Sequence, residues 1–349
     1  MLLKIAIHST FLQTLTPEKR RHMRSFIIAH RGASFHAPEN TLAAFRAAAA
    51  LGADGIETDV QLTGDGKLVV HHNYTIDGCS NKSGFIAKMT LEELKSCDFG
   101  SYRGAEWAGE QIPTLGECLD SAKEFSILDI ELKAPLDSSL PFVEPVVEEI
   151  RRRGLTGKVV ISAFDHDLLR QVKRLCPEIR VGALVMPADF SQNRSLAFLM
   201  KYLPRERKLI EVTRGDLQNV PHDEIRQMEL GIRSADTLGA IVELAHQIGA
   251  VYPQFTIEET IEALKAQDDI EAYIAGLDFC VDFLHCHYSS LLRDPDLVKR
   301  LSENGVGCNP WTPDDRADLE LLSGMGCTAI ITNRPDILLE IQSRQNPQT

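Results

Sequence analysis

The sequence predicts an α/β fold of the TIM type, a (β/α)8 barrel, and two observations lead to that prediction. Short runs rich in apolar and β-branched residues alternate with longer helical patterns, which is typical of βα units around a parallel sheet. Eight such runs can be counted, and the 349 residues provide enough chain for one large barrel with additions.

The predicted strands are short, and helical patterns separate many of them. The strands cover Phe26–His30, Gly55–Asp59, Ile127–Leu132, Lys158–Ser162, Arg180–Val185, Val281–His285, Val306–Pro310 and Thr328–Thr332. The clearest helical patterns are Asn40–Leu51, Glu144–Arg153, His166–Leu175, Asp296–Glu303 and Asp315–Ser323. The first of these follows Pro38-Glu39 and ends near Gly52, which are the signals expected at a helix start and stop.

One interruption of this alternation follows the second strand. The turn sequence Thr63-Gly64-Asp65-Gly66 is followed at once by the apolar run Leu68–His72. The spacer is too short for a helical crossover, so the pattern predicts a β-hairpin. Residues 75–115, with one helical piece at Leu91–Ser96, are predicted to form an excursion above the barrel.

A second interruption follows the fifth strand, where residues 187–276 are too long for one βα connection. Helical stretches at Ala235–Ile248 and Thr256–Ala266 predict an ordered insertion. Residues 1–24 are predicted to be an N-terminal extension, so that the barrel domain covers residues 25–349.

Composition excludes several classes of function. The net charge of −13, without a strong basic patch, argues against nucleic-acid binding. No window contains the roughly 18 uninterrupted apolar residues that a transmembrane helix requires. The eight cysteines are scattered without a CxxC pair, and no convincing signal peptide precedes them, so a reduced cytoplasmic protein is predicted. A homo-oligomer is left open.

Three carboxylates are predicted to meet at the mouth of the barrel. Glu57 and Asp59 lie two residues apart on one strand and therefore point to the same side, and Glu131 lies near the end of the next barrel strand. Such a cluster is costly to ionise unless a cation binds it, and oxygen ligands favour Mg²⁺, Ca²⁺ or Mn²⁺ over zinc. The alternative is that these acids only pair with lysine or arginine.

Two histidines occupy positions suited to proton transfer. His30 ends the first strand and His72 ends the hairpin, whereas the neighbouring His71 should face away. Phosphodiester cleavage needs a base and an acid, and histidine titrates near neutral pH. Arg31 can form paired hydrogen bonds to a phosphate, and Lys133 offers a positive charge near it.

Several motifs, in the same order along the chain, resemble those of the glycerophosphodiester phosphodiesterase family. The run from 26 to 77 carries most of the resemblance, in His30-Arg31-Gly32, Pro38-Glu39-Asn40-Thr41, Gly52–Val60, Thr63–Gly66 and Val69–His72. Shorter matches follow at Pro113–Leu115, Glu131–Lys133, Ser162–Phe164, Trp311-Thr312 and Thr332–Pro335. Together they span about 26 to 340, apart from the long insertion.

The resemblance implies a TIM barrel that hydrolyses glycerophosphodiesters to glycerol 3-phosphate and an alcohol, with one divalent cation as cofactor. By motif match the roles can be assigned residue by residue. The acid–base pair would be His30 and His72, the metal ligands Glu57, Asp59 and Glu131, the phosphate-binding residues Arg31 and Lys133, and the pocket-lining aromatics Phe164 and Trp311.

The sequence departs from the family pattern at a few positions. Asn73 and Asn333 stand where the family usually has aspartate, and Pro313-Asp314 stands near its usual asparagine. The stretch His285-Cys286-His287 has no counterpart in the motifs. This stretch and the long insertion leave the alcohol and the glycerol half of the substrate open, so that a sugar or other polyol phosphodiester is an alternative. A related lyase that releases a cyclic phosphate, a non-catalytic phosphate-ligand binder and a structural partner-binding barrel are the alternatives.

Overall fold

The computed structural model describes residues 24–136, 139–187, 194–218, 220–221, 241–242, 245–246, 248–249 and 251–345. The chain divides into two compact units. One comprises Met1–Val185 together with Asp278–Thr349, and the other comprises Met186–Leu277. Of the predicted N-terminal extension, only Arg24 lies within the described residues.

The first unit contains a nine-stranded sheet that forms the predicted barrel. Its strands are β1 (Phe26–Ala29), β2 (Gly55–Leu62), β3 (Leu68–Val70), β4 (Ile127–Leu132), β5 (Val159–Ala163), β6 (Arg180–Val185), β7 (Phe283–Cys286), β8 (Gly307–Cys308) and β9 (Ala329–Thr332). Eight run parallel in the order β8-β7-β6-β5-β4-β2-β1-β9. Backbone hydrogen bonds from Thr328 to Cys308 at 2.8 Å and from Ile331 to Pro310 at 3.0 Å join β9 to the β8 segment. The predicted (β/α)8 architecture is confirmed.

Helices follow most of the strands. In chain order they are α1 (Leu42–Leu51), α2 (Leu91–Lys95), α3 (Leu115–Ser121), α4 (Val143–Arg152), α5 (His166–Leu175), α6 (Arg194–Tyr202), α7 (Ile257–Ala266), α8 (Ile270–Ala275), α9 (Tyr288–Arg293), α10 (Leu297–Glu303), α11 (Arg316–Ser323) and α12 (Pro335–Gln345). The first helix begins later than predicted because Asn40 has a φ of 55° and Thr41 is the N-cap, accepting a hydrogen bond from the Ala44 amide.

Several helices, including α3, α9 and α12, were not predicted from the sequence. A sequence signal existed for α3, since Thr114 and Glu117 form a capping box at its start. The α9 helix has only six residues, which is too short for a clear apolar period.

The hairpin after β2 is present as predicted. Strand β3 pairs antiparallel with β2, with Val60 opposite Val70. The excursion that follows has an apolar core of its own, which holds it in place beside β3. This core contains Val69, Ile76, Ile86, Leu94, Cys97, Phe99 and Ile112.

Side chains inside the barrel form layers because alternate residues of each strand point inward. One interior cluster is apolar and contains Ile28, Ile127, Val160, Phe283, Ala329 and Ile331. Phe26 packs against it, as does Trp311, which stands beyond the carboxyl end of β8. Above most of it lies a buried polar layer, which we call the middle layer and which consists of Asp129, Ser162, His285 and Asn309.

Hydrogen bonds connect much of the middle layer. Ser162 Oγ donates to Asp129 Oδ1 at 2.7 Å, and the Asn309 amide lies 3.0 Å from His285 Nε2. His285 Nδ1 lies 3.5 Å from Asp129 Oδ2 across the interior. Gly182 makes room for the imidazole, since a Cβ at this position would come within 2.4 Å of His285 Nε2. The layer therefore depends on a glycine in β6.

The insertion Met186–Leu277 is a compact unit with its own apolar core. The predicted helix at Thr256–Ala266 is observed as α7, with Thr256 as its N-cap in a capping box with Glu259. Most of the predicted helix Ala235–Ile248 lies outside the described residues. Throughout the described part of the chain, no helix is both long enough and apolar enough to cross a membrane.

Candidate active site

Three carboxylates converge on β2 and β4, as strand alternation predicted, although β2 continues to Leu62 beyond the predicted strand end at Asp59. Asp59 lies directly opposite Glu131 in the parallel pairing, and Glu57 lies one inward position lower on β2. One oxygen from each side chain lies within 4.8 Å of the other two, and all three residues are buried. We call these residues the carboxylate cluster.

Two cations border the carboxylate cluster. The Lys133 ammonium lies 2.6 Å from Glu131 Oε1 and 3.1 Å from Asp59 Oδ1. Arg31 donates its backbone amide to Glu57 Oε2 at 3.0 Å, and its Nε lies 3.7 Å from Asp59 Oδ2. The alternative pairing with lysine and arginine that the sequence left open is therefore partly present.

These cations do not neutralise the cluster. Burial, together with the charges of Asp59 and Glu131, raises the pKa of Glu57 well above its ordinary range. Burial likewise raises the pKa of Glu131 to about 7, despite the nearby ammonium of Lys133. Although burial acts in the same direction on Asp59, the positive charges of Lys133 and Arg31, with a hydrogen bond from Asn40, hold its pKa well below the usual value. The two cations therefore supply too little positive charge to balance the three carboxylates of the cluster.

The donor set fits a hard divalent cation. All three side chains offer carboxylate oxygens, which Mg²⁺, Ca²⁺ and Mn²⁺ prefer. Asp59 Oδ1 is buried and accepts no hydrogen bond from the described residues, although an ammonium group lies near it. Such an oxygen is expensive to bury unless a ligand completes its coordination.

His30 is oriented by a hydrogen-bonded chain from the far end of the sequence. Its Nδ1 lies 2.7 Å from Asn333 Oδ1, while Asn333 Nδ2 donates to Asp314 Oδ2 at 2.6 Å. Because a carboxylate only accepts, it directs the NH₂ group of Asn333 to itself and the amide oxygen to His30. Nδ1 of the neutral imidazole therefore carries the proton, which leaves a lone pair on Nε2, 3.8 Å from Glu57 Oε2.

His72 is held in a similar way by local contacts. Its Nδ1 lies 2.8 Å from Asn73 Oδ1, and a proton on Nδ1, donated to this oxygen, leaves a lone pair on Nε2. The buried amide of Gln61 donates to the backbone carbonyls of residues 71, 72 and 73 at 2.7, 3.2 and 2.8 Å. His71 instead packs edge-on against Phe99 and lies outside the carboxylate cluster, in agreement with strand alternation.

Burial keeps the imidazoles of His30 and His72 neutral. It lowers the pKa of His30 to about 3, and the positive charge of Arg31 adds to that effect. Burial, with Arg31 and Lys133, also lowers the pKa of His72 well below its usual value. A bound anion would reverse part of this effect, because negative charge favours the imidazolium form.

Arg31 occupies a constrained position beside the cluster. Its φ of 55° lies in the left-handed region, which a non-glycine residue rarely adopts outside functional sites. The adjacent Gly32 packs so closely on α1 that a Cβ would come within 2.7 Å of Ala44. The guanidinium pairs with Glu39 at 2.9 Å, yet its buried Nε has no hydrogen-bond acceptor among the described residues.

The two predicted aromatics lie together on the other side of the mouth. Each stands two residues beyond a member of the middle layer, Phe164 after Ser162 and Trp311 after Asn309. Their rings meet edge to face with centroids 5.9 Å apart. The indole N–H of Trp311 donates to the His285 carbonyl at 3.0 Å, which fixes the ring.

The residues that orient the carboxylates and histidines were not predicted from the sequence. Asn333 and Asp314 were noted only as departures from a pattern, and Asn40 only as part of a helix start. Asn40 Nδ2 donates to Asp59 Oδ2 at 2.8 Å, and its left-handed φ of 55° allows this approach. The sequence signal available for Asn40 was its position as an asparagine at the start of a helix. Gln61 had the signal of a polar residue in a buried strand.

Comparison with known proteins shows the family of this chain. Residues 30–337 match the model of the glycerophosphoryl diester phosphodiesterase family. A glycerophosphodiester phosphodiesterase from Caldanaerobacter subterraneus subsp. tengcongensis is 32% identical over 321 residues, which are 91% of this chain and 98% of the relative. Mouse glycerophosphodiester phosphodiesterase 1 is 41% identical over 185 residues, covering 52% of this chain and 54% of that protein.

Solved structures show the same fold at lower sequence identity. A glycerophosphodiester phosphodiesterase from Agrobacterium tumefaciens superposes with a TM-score of 0.58 at 20% identity, over 90% of this chain and 99% of that one. A phosphodiesterase from Oleispira antarctica, in complex with the product sn-glycerol-3-phosphate, gives 0.57 at 24% identity over 92% and 97% of the two chains. From the family match and the relative of nearly full length, this chain belongs to the glycerophosphoryl diester phosphodiesterase family and is a phosphodiesterase.

Proposed function

We propose that this protein hydrolyses a glycerophosphodiester to glycerol 3-phosphate, or to a related polyol or sugar phosphate, and an alcohol, with one divalent cation in the carboxylate cluster. One observation carries the proposal. Three buried carboxylates have oxygens within 4.8 Å of one another and lie beside His30, whose Nε2 has a free lone pair. His72 is close enough to interact electrostatically with Asp59. Glycerophosphodiesters arise from deacylated lipids, so this activity belongs to lipid and glycerol metabolism.

Phosphate binding is assigned to positive groups at the mouth. Arg31 would bind phosphoryl oxygens through its guanidinium, and Lys133 would lie close to them as a point charge. A divalent cation held by Glu57, Asp59 and Glu131 would supply additional stabilisation of negative charge on the phosphoryl group. Mg²⁺ and Ca²⁺ are the first candidates, followed by Mn²⁺.

Proton transfer is assigned to the two histidines. One of His30 and His72 takes the proton of the attacking hydroxyl on Nε2, and the other, protonated on Nε2, gives its proton to the departing alkoxide. The phosphorus–oxygen bond to the alcohol breaks as a bond to the attacking oxygen forms. The nucleophile is water, or a neighbouring substrate hydroxyl that first gives a cyclic phosphate. Phe164 and Trp311 are proposed to line the pocket beside the reacting group.

The first experiment measures turnover of sn-glycero-3-phosphocholine after chelation and after readdition of Mg²⁺, Ca²⁺ or Mn²⁺. Activity should disappear with chelator and return with cation. His30→Ala and His72→Ala should each lower turnover at least about a hundredfold while circular dichroism shows a retained fold. The matched control is His36→Ala, an exposed histidine of the loop that follows β1. Full activity in both catalytic variants would refute the assignment, and binding without turnover would indicate a non-catalytic phosphate binder.

A second experiment separates hydrolysis from a lyase reaction. In ¹⁸O-labelled water, a hydrolase puts the label into the phosphomonoester product, whereas a terminal lyase releases an unlabelled cyclic phosphate. We expect label in the product. The absence of label, with a cyclic product accumulating, would favour the lyase.

A reducing, cytoplasmic location is proposed from cysteine chemistry. All eight cysteines are free thiols, and Cys286 and Cys308 form an S–H···S hydrogen bond at 3.8 Å rather than a disulfide. Paired thiols at this distance are compatible with a compartment that keeps them reduced.

A further inference from the structure

His287 lies at the mouth of the barrel, directly after β7, and has been assigned no role so far. It stands two residues beyond His285, whose side chain points into the barrel towards Asp129. Side chains two residues apart on an extended strand share a face. The backbone remains extended here, because His287 still pairs with Trp311 in a parallel bridge. His287 therefore points inward, one layer above His285.

The same relation places other residues in this upper layer. Glu131 stands two residues beyond Asp129, just as His287 stands two beyond His285. Since Asp129 and His285 approach within 3.5 Å across the interior, His287 and Glu131 lie on opposite walls of the mouth above them. The space between these walls is where a substrate bound at the carboxylate cluster would extend.

The protonation of His287 is determined by its neighbour. The backbone amide of Ser289 donates to His287 Nδ1 at 3.3 Å, and the Ser289 hydroxyl lies 2.7 Å from the same nitrogen. An amide N–H can only donate, so Nδ1 must be the acceptor. The neutral ring then carries its proton on Nε2, for which the described residues provide no acceptor.

Two further observations describe the surroundings of this N–H group. The imidazole meets the Trp311 indole edge to face at 5.0 Å, and Trp311 in turn meets Phe164, so an aromatic wall surrounds the donor. Burial and the charge of Arg293 lower the pKa of His287, which keeps the ring neutral near pH 7. The positive groups suited to phosphate, Arg31 and Lys133, lie at the carboxylate cluster on the opposite wall, so this N–H is left for another oxygen of the substrate.

We propose that His287 is a specificity-determining residue, whose Nε2–H donates a hydrogen bond to a hydroxyl of the glycerol or polyol half of the substrate. The inference rests on the proposed phosphodiesterase function. A half-buried donor selects strongly for an oxygen at this place, because an analogue without it leaves the donor unpaired. The substrate class is thus a phosphodiester of a hydroxyl-bearing alcohol rather than of a hydrocarbon chain.

The test compares sn-glycero-3-phosphocholine with n-propyl phosphocholine, which lacks the two glycerol hydroxyls but contains the same diester. His287→Phe keeps a ring against Trp311 and removes the donor, whereas His287→Gln keeps an N–H near the position of Nε2. For the wild type, kcat/KM should favour the glycerol substrate. His287→Phe should lower kcat/KM for that substrate about tenfold, mainly through KM, and change the propyl substrate less than about twofold. His287→Gln should recover part of the loss.

The outcomes separate the inference from the proposed function. If the wild type with added cation cleaves neither diester, the proposed function itself fails. If it cleaves both equally well, or if His287→Phe lowers both rates by the same factor, His287 has only a packing role and the inference is overturned. Recovery by glutamine with an unchanged propyl rate supports the hydrogen bond.

Discussion

Replacing Glu131 with glutamine removes one negative charge from the carboxylate cluster while nearly preserving shape. In the fold, burial raises the pKa of Glu131 from its ordinary 4.5 to about 7. Each pKa unit corresponds to about 1.4 kcal/mol, so keeping this group ionised in the cation-free protein costs about 3 kcal/mol. Glu131→Gln should therefore stabilise the cation-free protein at pH 8 by about 1–3 kcal/mol, the lower figure allowing for the poorer fit of an amide NH₂ group in place of a carboxyl oxygen.

The direction of the pH dependence follows from linkage. A carboxyl group whose folded pKa is raised stabilises the protein fully below its unfolded pKa, and this contribution is lost as pH rises through the folded value. The advantage of Glu131→Gln should therefore be small near pH 5, about 1 kcal/mol or less, and full near pH 8.

Urea unfolding in the presence of chelator, followed by tryptophan fluorescence, measures this effect. Both tryptophans, Trp107 and Trp311, belong to the barrel unit, so the signal reports on that unit. Cation at about a hundred times its dissociation constant should stabilise the wild type by about 2.7 kcal/mol and should stabilise Glu131→Gln much less. Stability and cation binding should thus change in opposite directions.

Glu93→Gln is the matched control. Glu93 is exposed and forms the capping box of α2, a role that glutamine also performs. This variant should change stability by less than about 0.5 kcal/mol and should respond to cation like the wild type. The reasoning is refuted if Glu131→Gln is no more stable than the wild type at pH 8, or if its advantage is the same at pH 5.

Three more predictions concern the same barrel. Cation binding should release about one to two protons per site at pH 6 and fewer at pH 8, because the raised pKa values of Glu57 and Glu131 make protons compete with the cation. Calorimetry in buffers of different ionisation enthalpy counts the released protons, and an equal count at both pH values would contradict this prediction. Asp314→Ala should free the Asn333 amide to rotate, so that His30 loses its fixed tautomer. The variant should lower kcat about tenfold or more with little change in KM, and an unchanged kcat in steady-state assays would exclude this role of Asp314. Gly182→Ala should destabilise the fold by about 1–3 kcal/mol through a clash with His285, whereas unchanged urea unfolding would show that the middle layer can adjust.

Much of the fold could be predicted because the determining signals are local. A parallel strand buried on both faces is a short apolar run, and the turn Thr63–Gly66 is too short for any connection other than a hairpin. Boundaries were less accurate: Val306–Pro310 was predicted as a strand, but only Gly307–Cys308 is assigned to β8. Pro310 provides a reason, since it has no N–H for the ladder.

The sequence by itself also determined that Glu57 and Asp59 share one face, since strand alternation is a property of the backbone. Only the tertiary structure decided which nitrogen of His30 faces the carboxylates. That depends on Asn333, 303 residues away, and on the carboxylate that orients its amide. Hydrogen bonds between such distant residues leave no periodic pattern in the chain, because closing the barrel alone brings them together.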